Sequence, residues 1–436
     1  MTHDTQEQFF WKPLTALLVL TVLAPLPAVN AEVLPGSKLQ ATEWPWWRGP
    51  LRNGIAAAEQ KPPVRWSATE NVVWKAPIVG RGHGSPIVVG EQVILNTANV
   101  KAGTQHVLCY SRKSGELLWD TTVHRGGLHV KGKKKPNEKA SWASSTPACD
   151  GELIFVSFYS DNAIHVTALD RQGRQVWQKK LSDYIVHQGY AASPAIFGEL
   201  VIASADHKGG GLVAALDRQT GKLVWKQDRP KAPNYASPAI LEAGGRTQLV
   251  FTGCDRVASF DPTTGKGLWQ VEGSTTECVT TAVTDGTRVF SSGGYPDNHV
   301  AAYRADGSGE NVWRNNVRVY VPSMLIRDGY LFAVADAGVA MCWESATGKE
   351  MWKGRLRGTF SASPVMVGDH IYATNEAGRT FVYRADPKKF RQVAENDLGD
   401  LVMATPTFVG GQIFMRVAMR DGDTLREMLF CLGDAR

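Results

Sequence analysis

Residues 215–225 read ALDRQTGKLVW. The run returns with variations as SFDPTTGKGLW at 259–269, CWESATGKEMW at 342–352 and CYSRKSGELLW at 109–119. Each copy joins one short apolar strand to another that ends in tryptophan, through a turn that holds glycine. Glycine supplies the positive φ of a tight hairpin, and Asp or Thr side chains bond the turn backbone. A motif repeated at a fixed period is an architectural signal before it is a chemical one.

A second marker sets the period. Ser or Thr, usually followed by Pro and then by an apolar run, occurs at Ser85, Thr146, Ser193, Ser237, Thr281, Ser323, Ser363 and Thr405, mostly 40 to 47 residues apart. Trp119, Trp177, Trp225, Trp269, Trp313 and Trp352 each fall near the end of one interval. Between the markers lie β-rich runs such as GELVIASAD and GYLFAVADAG, with no amphipathic helical pattern. Each interval therefore predicts four antiparallel strands. One such unit cannot bury both of its faces, whereas eight in a ring can. The predicted fold class is all-β, an eight-bladed β-propeller. The last interval ends at MLFCLGDAR with no tryptophan strand, while ENVVWKAP at 70–77 precedes the first marker with Trp74 to spare. The N-terminal strand is expected to pair into the last blade and close the ring. The tryptophans, Trp74 included, are expected to fill the joints between blades. Blade seven, with Val393 where tryptophan is expected, reads as the weakest joint.

The composition is that of a globular chain, 43% hydrophobic and 21% charged, with a net charge of +6. That mild excess, with no basic helix or binding motif, gives no reason to expect nucleic acid. Lys131, Lys133, Lys134, Lys135 and Lys139 sit among Gly and Pro and read as a solvated loop. The apolar run from Leu14 to Val29 is short for a membrane span and ends in small residues. It reads as a secretory signal peptide over residues 1–31, followed by a tryptophan-bearing extension over 32–70 and the propeller over 71–436. An uncleaved anchor is the alternative. The mature chain is expected to be exported, soluble and monomeric. Cys109, Cys342 and Cys431 fall at one repeat position, held by Ala168, Ala215 and Ala302 in other copies, so the six cysteines are expected to be buried free thiols.

Ala215, Asp217, Thr220, Gly221 and Trp225 fit the A-x-D-x-x-T-G-x-x-x-W pattern, as do Asp261, Thr264, Gly265 and Trp269 after it. On these residues the chain resembles the pyrroloquinoline-quinone (PQQ) repeat family over roughly residues 71–436. The resemblance implies the propeller fold. It implies no single function, because the family holds both quinone-dependent dehydrogenases and cofactor-free scaffolds similar to the outer-membrane assembly factor BamB. WPWWRGPLRNG at 44–54 resembles the leading segment of exported members, and Trp44, Trp46, Trp47 and Arg48 are expected to pack on the outside or base of the ring.

A quinoprotein of this kind must hold a planar tricarboxylate and a Ca²⁺ ion, and calcium takes six or more oxygen ligands. The loops ahead of each Ser/Thr marker are expected to line one mouth of the channel. They offer His83, Lys139, Trp142, His187, Tyr190, Asn234, Tyr235, Glu277, Arg318, Tyr320, Arg355, Arg357, Phe360, Asp397 and Asp400. The acids come from only two places, so no metal and no cofactor is expected. PQQ and calcium enter only under the alternative of a dehydrogenase acting on an alcohol or sugar. The leading reading is a non-catalytic propeller that binds a protein, small-molecule or carbohydrate-like ligand at the channel mouth. Binding candidates are His83, Trp142, His187, Tyr190, Tyr235, Glu277, Arg318, Tyr320, Arg357 and Phe360. Pairing of a partner strand with an outer blade edge, first of all at blade seven, is a second mode.

Overall fold

The computed structural model describes Met1, residues 39–130 and residues 137–434. The rest of the expected signal peptide and Lys131, Lys133, Lys134 and Lys135 lie outside the described residues. Among the described residues every regular element is a β-strand, and no helix is long and apolar enough to cross a membrane.

Eight antiparallel sheets, each built on four strands, succeed one another along the chain. Blade three shows the plan: Ala195–Phe197, Leu200–Ala205, Gly211–Asp217 and Leu223–Arg229 pair in sequence order. Its second strand is buried throughout, because neighbouring blades cover both faces. Its fourth strand is largely exposed, with Trp225 turned inward. Blade eight draws on both ends of the chain. Thr407–Val409, Gln412–Asp421 and Thr424–Leu432 are joined by Val72–Pro77, with Trp74 opposite Cys431. The ring closes as the surplus tryptophan indicated.

The register shows what the repeat is for. Each tryptophan of the fourth strand lies opposite a small residue of the third: Trp119 and Cys109, Trp177 and Ala168, Trp225 and Ala215, Trp269 and Ser259, Trp313 and Ala302, Trp352 and Cys342. A small residue there lets the indole lie across the third strand and reach the second. Ring centroids are 5.9 Å apart for Trp177 and Phe155, 6.0 Å for Trp313 and Phe290, and 5.9 Å for Trp74 and Phe414. The other side of the indole meets the turn of the next blade. Gly221 has φ +66°, and a Cβ there would lie 2.7 Å from the Trp177 ring. Glycine in the Thr-Gly turn is thus required twice, by conformation and by the neighbouring indole. The indole N–H donates to a carbonyl of that same turn, as from Trp177 to Arg218 O at 2.9 Å and from Trp74 to Arg112 O at 2.8 Å. Blade five has a longer turn, and the N–H of Trp269 goes instead to Oε1 of Gln248 in its own blade, at 2.6 Å.

Blade seven differs from expectation. The residue opposite Val382 is Ala394, one place beyond Val393, because its turn is longer still. Nor is its joint empty. Trp66 of the extension stacks on Tyr372 of the second strand, with centroids 6.3 Å apart and planes 18° from parallel. Its backbone N–H donates to Asn396 Oδ1 at 3.0 Å, and Asn396 Nδ2 donates to Val64 O at 3.0 Å. The missing tryptophan is supplied from outside the repeat, so the seventh joint is filled as the others are.

The Ser/Thr marker has its own task. Its side-chain oxygen accepts the backbone N–H of the preceding blade's marker: Ser85 N to Thr146, Thr146 N to Ser193, Ser193 N to Ser237, Thr281 N to Ser323, Ser323 N to Ser363 and Ser363 N to Thr405, at 2.9–3.0 Å. These bonds girdle the channel and satisfy N–H groups that no strand partner reaches. All six cysteines are buried free thiols.

Candidate ligand-binding site

One end of the channel is closed by the leading segment. Trp44 bridges to Val88 of blade one, Cys149 N of blade two donates to Pro45 O at 2.8 Å, and Arg52 reaches Ile196 O of blade three at 2.6 Å. Trp47 Nε1 donates to Thr281 Oγ1 of blade five at 2.8 Å. Arg48, fully buried, donates to the carbonyls of Met324 and Pro364 in blades six and seven at 2.5 and 3.2 Å. Ile55–Ala56 then adds a short parallel strand to Val365–Val367. A segment that touches the inner strands of six blades must cross the ring axis. The expected packing at the base is therefore more specific than sequence indicated: the segment is the channel floor.

Above that floor lies a cavity of about 590 Å³, within the range of small-ligand sites. Trp47 faces it from below, and the marker residues Ser85, Thr146, Ser193, Ser237, Ser363 and Thr405 ring it. Of the sequence candidates, His83, His187, Tyr190, Tyr235, Glu277, Arg318 and Tyr320 line it together. Trp142 does not; it packs on Tyr159 at 5.8 Å beside the cavity. Phe360 is core, against Phe381, and Arg357, at φ +75°, lies exposed outside the lining. Asp397 and Asp400 are also off the wall, bound to Arg379 and to the backbone of Arg420. Trp47, Tyr295 and Asp336 line the cavity without having been singled out as binding residues.

Glu277 organises one wall. Its carboxylate is 5% exposed and lies 3.1 Å from His187 Nδ1, and the Tyr320 hydroxyl approaches Oε2 at 3.4 Å. His187 Nδ1 also lies 3.2 Å from the Tyr235 hydroxyl. Burial first, and Glu277 next, push the Tyr235 and Tyr320 phenols well above the usual range, so both stay neutral donors. Burial also raises the Asp336 carboxyl, which accepts Tyr320 N–H at 2.7 Å. The cations of the wall are already engaged. Lys139 Nζ sits 2.7 Å from Glu376, and Arg318 donates to Gly294 O at 2.5 Å while covering the Tyr320 ring at 4.9 Å. His83 is held neutral, down to about 3, by burial and then by Arg416 and Arg81.

Glu277 and Asp336 are the acids of the lining, and among the described residues no three His, Cys, Asp or Glu converge as metal ligands. This donor set does not fit calcium with its six or more oxygens, and the wall offers no free pair of cations for a tricarboxylate.

The architecture is that of an eight-bladed propeller with one floored mouth. The family model described as outer membrane protein assembly factor BamB matches residues 103–296 and 296–415. The chain belongs to that PQQ-repeat family. It is 25% identical to tetrathionate hydrolase of Acidithiobacillus ferrooxidans over 70% of this chain and 65% of the relative, just under two thirds of the latter's length. It is 25% identical to the assembly factor BamB of Burkholderia pseudomallei over 72% of this chain and 87% of the relative. A solved europium-containing methanol dehydrogenase superposes with a TM-score of 0.66 at 12% identity, covering 90% of this chain and 98% of that one, a likeness of fold alone.

Proposed function

We propose that this chain is a non-catalytic binding propeller of the BamB-like kind, working outside the cytoplasm, with the floored mouth as its binding site. The observation that supports this reading is the cavity itself. It is sealed below by Trp47, faced by tyrosines, and furnished with one buried carboxylate rather than a converging ligand set. A single-mouthed aromatic cup suits capture of a ligand or of a side chain on a partner protein. The apolar leader and the outer-membrane relatives support export. The same fold in a methanol dehydrogenase raises the catalytic reading, and one experiment separates the two. The purified protein is titrated with PQQ and Ca²⁺ and assayed with an artificial electron acceptor across alcohols and aldoses. Neither saturable PQQ binding at tens of micromolar nor dye reduction is expected; either one would overturn the proposal.

A further inference from the structure

The chemistry of the wall narrows what the cup would take, and this inference rests on the binding reading above. Lys139 and Arg318, the Lys and Arg of the lining, are each matched by a protein acceptor, Glu376 and Gly294 O. Glu277 is matched by His187, a cation only when protonated, and by phenol hydroxyls, and is almost wholly withdrawn from water. An interior carboxylate whose partner is charged only when protonated is costly, and an incoming permanent cation relieves that cost. The surroundings of Glu277 are aromatic. Tyr235 and Tyr320 flank it, and Trp47 forms the floor of the same cavity. Ring faces attract organic cations, the more so when water is excluded. At Tyr235 the charge that raises the phenol, after burial, is Glu277. Arg318 sits instead beyond Tyr320, anchored to the Gly294 carbonyl.

We propose that the part of the cavity wall formed by Glu277 and Tyr235 is a binding site for an organic ammonium group, with Glu277 as counter-ion and the aromatic lining of the cavity, Trp47 included, around it. The group could come as a free amine or as a lysine of a partner chain, since the recognised chemistry is the same.

The test compares pairs matched in shape and different in charge. Choline and its neutral isostere 3,3-dimethylbutan-1-ol are titrated calorimetrically into the full-length protein. An acetylated tripeptide with a central lysine is compared with its norleucine counterpart. Choline or the lysine peptide is expected to bind at least about tenfold more tightly than its neutral match. The arm that shows the difference identifies the source of the ammonium. E277Q is expected to reduce the difference to about twofold or less. If that variant does not fold, the wild-type comparison with choline and its isostere decides alone. Equal binding of charged and neutral partners would overturn the ammonium site while leaving the cup as a binding site. If none of the four probes binds, the ammonium site falls. PQQ reduction chemistry in the preceding experiment would instead remove the binding reading itself.

Discussion

Trp66 stacks on Tyr372 in the place where every other blade puts its own fourth-strand tryptophan. The pair links the extension to the seventh blade, and it turns a gap in the repeat into an ordinary joint. Replacing Trp66 by Ala removes a buried indole and leaves its cavity, a loss of about 3–5 kcal/mol. The stability midpoint in urea should fall accordingly. A394W alone should also destabilise, by about 1–3 kcal/mol, because the site is full. Together, W66A and A394W should recover part of the loss; strict additivity of the two would show that Trp66 does not occupy the Ala394 position.

Gln248 links blades four and five. It is fully buried, donates to Ala243 O and Ala305 O at 2.8 Å, and accepts from Ser259 Oγ and Trp269 Nε1 at 2.6 Å. Q248A would strand four buried polar groups, each worth about 1–3 kcal/mol when unmatched. Even after relaxation the loss should exceed about 3 kcal/mol in chemical denaturation. A loss under about 1 kcal/mol would mean that the indole of Trp269 finds another acceptor.

Acid should weaken the fold before the carboxylates titrate. Burial pulls His299 down to about 3 and His124 to about 4, with Arg314 and His165 as the secondary causes. Between those values and about 6.5 the unfolded chain holds a proton on each imidazole that the folded chain does not. Stability is therefore full above about pH 6.5 and is lost as pH falls towards 4, by about 1.4 kcal/mol per pH unit for each such histidine. H299Q should cut the slope by about one proton across that window, whatever its effect at neutral pH. An unchanged slope would show that His299 is not neutral in the native state.

Cys109, Cys149, Cys254, Cys342 and Cys431 are buried, and burial pushes their thiols up to about 12. Cys278 is buried and raised as well. Thiolate is the reacting species, so an aromatic disulfide reagent at pH 8 should label none of the six in the native protein and all six in denaturant. Rapid labelling under native conditions would indicate local opening of a blade.

The parts of the molecule that repeat were legible in the sequence, and the parts that do not repeat were not. The turn glycine, the small residue opposite each tryptophan and the closure through Trp74 recur at a fixed spacing, so each copy supports the others. Trp66 sits in a Pro- and Lys-containing stretch with no counterpart, and only the short side chain of Ala394 hints that something must cover it. The one-residue slip from Val393 to Ala394 came from a turn too long for the template. At the mouth, loop membership found Tyr235, Glu277 and Tyr320, because those loops follow the period. It could not separate Arg357 from Phe360, where a positive φ sends one out and packing draws the other in. Nor could it place Trp47 in the lining of the same cavity as Glu277, because only the folded ring shows that the leading segment crosses its axis.

The seam between Trp74 and Cys431 joins residues more than 350 positions apart, whereas the other seven blades close through turns of a few residues. The entropy of bringing two chain positions together rises with the logarithm of the intervening length, and folding slows as contacts grow more distant in sequence. Seven blades can thus form as their own residues become available, while the eighth waits for both ends. Closure of this seam is therefore expected to come last in folding, fastening an open arc through a single strand.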